Sequence, residues 1–145
     1  QRDDEPRFFV PNNVHLIGLM NTADRSLSIV DYALRRRFAF MTLTPRFASD
    51  LFKNWLSERH MPDALVSLVS SRMSTLNAMI SSDPLLGESY QVGHSFFCPV
   101  GEDFSDLNRV WYEGIVKTEI APLLREYWFD NPKRASEAEG ALLAP

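Results

Sequence analysis

The sequence holds a single cysteine, Cys98, so no disulfide can form within it. Flanked by Phe96, Phe97 and Pro99, that thiol reads as a buried group rather than a reactive one. The three histidines, His15, His60 and His94, lie in unrelated segments, so no metal site suggests itself. No Ser/His/Asp or Cys/His arrangement points to a self-contained hydrolase. There is no excess of positive charge: the net charge is -4 and the pI about 5.3. A surface built to grip a phosphate backbone is normally basic, which argues against direct nucleic-acid binding by this chain. A run of about 18 apolar residues is missing, as are the n-region and h-region of a signal peptide. The expectation is a soluble, cytoplasmic protein. The first residue is Gln1, not Met, so the chain is expected to begin inside a longer one.

What is present is an ordinary globular composition: 145 residues, 45% hydrophobic and 12% aromatic, enough for one domain with a core. Its two parts differ in type. "VHLIGLM", residues 14–20, is almost entirely apolar without polar alternation, as in a strand buried on both faces. Residues 28–36 read as a short helix, with Ser28 and Asp31 at capping-box spacing. "FAFMTL", residues 38–43, reads as a second strand that Pro45 ends.

From residue 46 onward the pattern is helical. Residues 46–60 place Phe47, Leu51, Trp55 and Leu56 on one face. Residues 63–81 carry an apolar stripe of Leu65, Leu68, Val69, Met73, Leu76, Met79 and Ile80. A loop of turn-forming residues follows. Residues 105–130 space Leu107, Val110, Trp111, Ile115, Leu124 and Trp128 helically, and Pro122 predicts a kink or break near 118–122. A last helix is expected over 132–143, opened by Asn131-Pro132. Trp55, Trp111, Tyr127 and Trp128 read as packing groups rather than a base-stacking platform. The expected fold is mostly α: a helical bundle preceded by a two-strand remnant of an α/β sheet. Strand 14–20 needs neighbours on both sides, which must come from upstream or from another chain.

The segment joining the two expected strands, "MNTADRSLSIVDYALRRRF", carries the chemistry. Ligands of open parallel sheets bind beyond the carboxyl ends of the strands, where Asn21 stands. An amide there can orient a water or donate to a phosphate oxygen. Equally, Asn, Thr, Asp and Ser form turns and caps by bonding to nearby backbone. Arg35, Arg36 and Arg37 complement a helix C-terminus in one reading. In another they serve as arginine fingers, planar and always charged. Consecutive helical positions point about 100° apart, so at least one of the three faces outward, toward a neighbouring subunit. His94, between Gly93 and Ser95, can bond to loop backbone or face a ligand.

"MNTADR", "VDYALRRRF", "VGHSFF" and "EIAPLLREYWFD" together resemble the McrB-type GTPase subunits of methylation-dependent restriction systems, which are AAA+ proteins. The resemblance runs from residue 10 to about 130. It implies that residues 1–45 are the C-terminal piece of an AAA+ core and residues 46–145 a helical lid. It makes Asn21 the sensor-1 residue, with Asp24 and Arg25 beside the nucleotide and the subunit boundary. Arg36 and Arg37, with Arg35 a weaker choice, match the arginine fingers that reach into the next subunit. Gly93, His94 and Ser95 fall where the lid faces the nucleotide.

The phosphate loop G-x-x-x-x-G-K-[ST] does not occur in this sequence, nor does the acidic strand end that holds magnesium. Both are expected upstream, so this stretch by itself is not expected to bind or hydrolyse a nucleotide. GTP or ATP with Mg2+, a homo-oligomeric ring, a partner nuclease subunit and DNA contacted through other domains belong to the full-length protein the resemblance implies. Two alternatives stay open at this point: a non-catalytic helical interaction module, and a fragment of a MoxR- or dynein-like AAA+ ATPase chaperone.

Overall fold

The computed structural model of the chain describes residues 9–21, 23 and 32–145. Its regular elements are helices: α1 (Tyr32–Arg35), α2 (Asp50–Ser57), α3 (Asp63–Ser81), α4 (Arg109–Ile115), α5 (Ala121–Tyr127) and α6 (Pro132–Leu143). Two 3-10 turns, Glu88–Tyr90 and His94–Phe97, interrupt the long loop between α3 and α4.

The mostly helical architecture is as expected; the two-strand remnant is not found. Residues 14–20 and 38–43 carry no regular structure, and among the described residues there is no strand. Their apolar side chains stand in the open, with Ile17 90% and Leu19 92% exposed. The physical reason is in the sequence pattern itself. A strand that is apolar on both faces takes its geometry from hydrogen-bonded neighbours, and the described residues offer none. Of the helix expected over 28–36, residues 32–36 are described, and Tyr32–Arg35 are helical; Ser28 and Asp31 lie outside the described residues.

The remaining helices pack around one core. Ser49 caps α2, its hydroxyl accepting from the Phe52 amide at 3.3 Å. Helix α2 therefore starts later than its apolar pattern suggests, and Phe47 enters the core from the segment before it. This corrects the expected face: Leu51 is 85% exposed, and Phe52 with Leu56 is buried. Helix α2 ends in a Schellman turn. The Met61 amide donates to Leu56 O and the His60 amide to Ser57 O, with His60 at φ 61°. Helix α3 matches its expected span and buries Leu65, Val66, Val69, Met73, Leu76 and Ile80.

The break near Pro122 is a wide turn. Between α4 and α5 lies a π turn, Val116–Ile120, after which the Ala121 amide reaches back to Val116 O. Pro122 has no N–H to continue the α pattern. The wider turn also keeps the buried stripe straight. Tyr112, Val116, Ile120, Leu124 and Trp128 are buried at a strict spacing of four. In an α-helix each such step overshoots a full turn by about 40°. One wider turn takes part of that drift back. The expected stripe is thereby shifted, and Val110 is 78% exposed.

Helix α6 is opened as expected by Asn131, whose side chain accepts from the Arg134 amide at 3.2 Å. Its last carbonyls are satisfied by side chains from other helices. Arg72 donates to Ala141 O (2.7 Å), Arg109 to Ala144 O (2.7 Å) and the Tyr112 hydroxyl to Leu142 O (3.1 Å). Guanidinium groups also suit the negative end of the helix dipole. Burial pushes Tyr112 up to about 12, so its hydroxyl remains a donor.

Asp83 ties the end of α3 to α5 and α6. Its buried carboxylate accepts from Trp128 Nε1 at 2.8 Å and from the Leu85 amide at 2.9 Å, and pairs with Arg134 at 3.2 Å. The Trp128 hydrogen bond, then the Leu85 amide and Arg134, hold the carboxyl below its ordinary value against the opposing effect of burial. Asp83→Ala leaves a buried indole N–H without its acceptor and is expected to lower stability by about 3 kcal/mol, read as a shift in urea midpoint. Because the folded value is depressed, the contribution is complete above the ordinary value of 3.8 and is lost as pH falls through the folded one. The gap between wild type and variant is therefore expected to narrow on acidification below that value.

Candidate functional site

Helix α3 is apolar enough to form the spine of the bundle, yet one line along it is polar. Ser70, Ser74, Asn77 and Ser81 fall at i, i+4, i+7 and i+11, which is one helical face. Ser70 and Asn77 are buried. A buried hydroxyl or amide requires a partner, and these find theirs in passing backbone. Ser70 Oγ donates to Phe47 O at 2.8 Å. Asn77 Nδ2 donates to Val92 O at 2.9 Å while its Oδ1 accepts from the Val92 amide at 2.7 Å. Further along, Gln91 Nε2 donates to Ser81 Oγ at 2.6 Å. Two segments distant in sequence, the connector around residue 47 and the stretch 91–92, are thus hung from one helix.

That arrangement sets Gly93, His94 and Ser95 beside the connector. Gly93 is extended, and the 3-10 turn begins at His94. His94 Nε2 accepts from the Arg46 amide at 2.8 Å. An imidazole nitrogen that accepts carries no proton, so the ring is neutral with its hydrogen on Nδ1. The ring lies 4.6 Å from that of Phe47 and 4.9 Å from that of Phe52, centroid to centroid. Of the two readings open for His94, a bond to backbone is the one this geometry contains.

An open cleft of about 430 Å³ runs beside this junction, lined by Pro45, Arg46, Ser49, Ser74, Asn77 and Gln91. Ser49, Asn77 and Gln91 are already bonded to neighbours, so the cleft assembles no acid–base pair. Among the described residues no group of His, Cys, Asp or Glu could hold a metal ion. Burial pushes the half-buried Cys98 thiol up, so it is not a poised nucleophile. The large aromatics pack: Trp55 under the Arg59 guanidinium at 4.1 Å, Trp111 against Phe97 at 6.2 Å, Tyr127 against Tyr90 at 5.2 Å.

The other expected site residues lie ahead of the bundle. Asn21 is exposed, and its Oδ1 accepts from the Ala23 amide at 3.0 Å, a local turn. Asp24 and Arg25 lie outside the described residues. Arg35 is the last residue of α1; Arg36 and Arg37 continue into the following turn, and all three are exposed.

Residues 68–136 match the family model of the McrB alpha-helical lid domain. The chain is also 46% identical, over 142 residues and 97% of its length, to the type IV methyl-directed restriction enzyme EcoKMcrB subunit of Escherichia coli (strain K12). It belongs to the McrB family. The chain spans 31% of that relative's length and is the C-terminal part of an McrB-type subunit. The matched lid runs from within α3 to within α6, so the polar line of α3 and the segment it holds are elements of an McrB lid. No described helix is long and apolar enough to cross a membrane.

Asn77 and Ser70 were not singled out by sequence reasoning, which followed the apolar stripe of the same helix. The signal was present as the recurrence of short polar residues at one helical angle. Asn77→Ala strands both polar groups of Val92 and is expected to cost about 2–4 kcal/mol in urea unfolding. Asn77→Asp, which turns the donor toward Val92 O into a second acceptor, is expected to destabilise as well.

Proposed function

We propose that this chain is the core–lid portion of a nucleotide-hydrolysing AAA+ subunit of a DNA restriction system. The observation that carries the reading is the McrB alignment, which covers nearly the whole chain and so spans both the "MNTADR…ALRRRF" segment and the lid. Residues 1–45 form the C-terminal piece of the core and residues 46–145 the lid. The nucleotide is GTP, or ATP, with Mg2+, bound between subunits of a homo-oligomeric ring. The donor types fit phosphate rather than a cation: an amide at Asn21 and guanidinium groups at 35–37. When bound, Mg2+ neutralises charge on the phosphates, and its ligands come from residues other than these.

Asn21 orients the attacking water, with Asp24 and Arg25 beside it at the subunit boundary. Arg36 and Arg37, and less so Arg35, reach the neighbouring subunit's nucleotide, where a guanidinium stabilises charge developing on the transferred group. Gly93, His94 and Ser95 form the lid face toward the nucleotide; since His94 Nε2 is bonded to Arg46, only its other edge and the local backbone remain for a ligand. A nuclease subunit acts with the ring, DNA is contacted through other domains, and the assembly works in the cytoplasm.

The test uses the full-length protein. Arg36→Ala with Arg37→Ala is expected to lower GTP or ATP turnover by about 10³-fold or more, and Asn21→Ala to lower it as well, with folding unchanged by circular dichroism. Wild-type turnover in both variants overturns the assigned roles. Sedimentation with and without nucleotide separates a nucleotide-dependent ring from an indifferent interaction module.

A further inference from the structure

Exposure changes abruptly where the chain enters the bundle. Leu43 is 81% exposed and Phe47 is 2% exposed. Between them the backbone is gripped at two adjacent residues from two different elements. The Arg46 N–H donates to His94 Nε2, and the Phe47 carbonyl accepts from Ser70 Oγ, each at 2.8 Å. The Phe47 ring is held edge-on by Phe52 at 5.3 Å and by Phe97 at 6.1 Å, with the His94 ring tilted against it. Ser49 then caps α2, so no slack is left between Arg46 and the first helix of the bundle.

We infer that His94 is the fastener that makes residues 46–49 part of the lid, so that the lid turns about what precedes it at Thr44 and Pro45 alone. The pivot is short and stiff. Pro45 fixes its own φ and holds Thr44 in the extended region, which leaves few free torsions and a defined direction of swing. His94 is a positioning residue: it acts through the connector peptide, and its single tautomer follows from the bond it accepts. That a separate body precedes the pivot rests on the assignment of residues 1–45 to a core; the fastening itself does not.

The test is made on the full-length protein without nucleotide, so a failed turnover assay cannot imitate either outcome. Side-chain 15N spectra are expected to show His94 Nε2 as the bare ring nitrogen and Nδ1 as the protonated one. Amide hydrogen exchange is expected to be fast through Thr44 and protected from Arg46. His94→Phe keeps an aromatic ring and removes the acceptor, and is expected to speed exchange at Arg46 about five- to tenfold while α3 amides such as Met73 are unchanged. His94→Gln presents an amide oxygen at similar reach and is expected to restore protection. A proton on Nε2, an unaltered Arg46 amide in His94→Phe, or protection that runs unbroken through Thr44 overturns the inference. Should His94→Phe fail to fold, the wild-type nitrogen shifts and the exchange step at Pro45 decide it.

Discussion

The buried amide of Asn77 is the interaction on which the arrangement depends. It replaces the backbone partner that Val92 lacks, giving and accepting one hydrogen bond with the same residue. Without it both backbone polar groups of Val92 would be buried without partners. With it, Gly93 and His94 arrive beside the connector, and the 3-10 turn that follows can place Phe97 at the centre of the core. Ser70, two turns earlier on the same helix, does the corresponding work for Phe47. A helix that is mainly a hydrophobic spine thus also sets the path of two loops, because burying a polar group obliges it to find a specific partner.

The same logic holds just past the end of α3 and at the end of α6. Asp83 is a carboxylate out of water, tolerable because an indole, an amide and a guanidinium converge on it. Arg72, Arg109 and Tyr112 likewise close the last turn of α6. Dispersion and burial make the helices adhere, but these directional groups select one packing among several that the apolar faces would allow.

Much of the helical part was legible in the sequence, and the reasons are local. Helix α3 ran where its apolar period put it, and α6 began where Asn131 and Pro132 place a cap and a first turn. Pro122 announced a disturbance, though not its form, because a missing donor can be met by a kink, a break or a wider turn. The face of α2 was misread since Phe47 was counted as helical, whereas Ser49 starts the helix later. The turn at His60 gave no warning: a left-handed residue there is usually glycine or asparagine, and a histidine is held by the Schellman bonds instead. The strands foreseen at 14–20 and 38–43 depend on pairing partners, and propensity cannot supply those. Of the candidate site, the residue types of the "NTADR" and "RRR" segments were plain in the sequence, Asp24 and Arg25 lie outside the described residues, and the bond that occupies His94 could not be foreseen.

The sequence by itself determined the helical class of residues 50–143, the limits of the long helices and the motifs that mark an McrB-type subunit. Those are properties of neighbours along the chain: period, caps, prolines and short runs of defined chemistry. Only the tertiary structure decided that Asn77 meets Val92, that Ser70 and His94 grip two successive residues of the connector, and that Asp83 gathers Trp128 and Arg134. These pairs lie 15 to 51 positions apart, and a buried polar atom takes whichever partner the packing brings within about 3 Å.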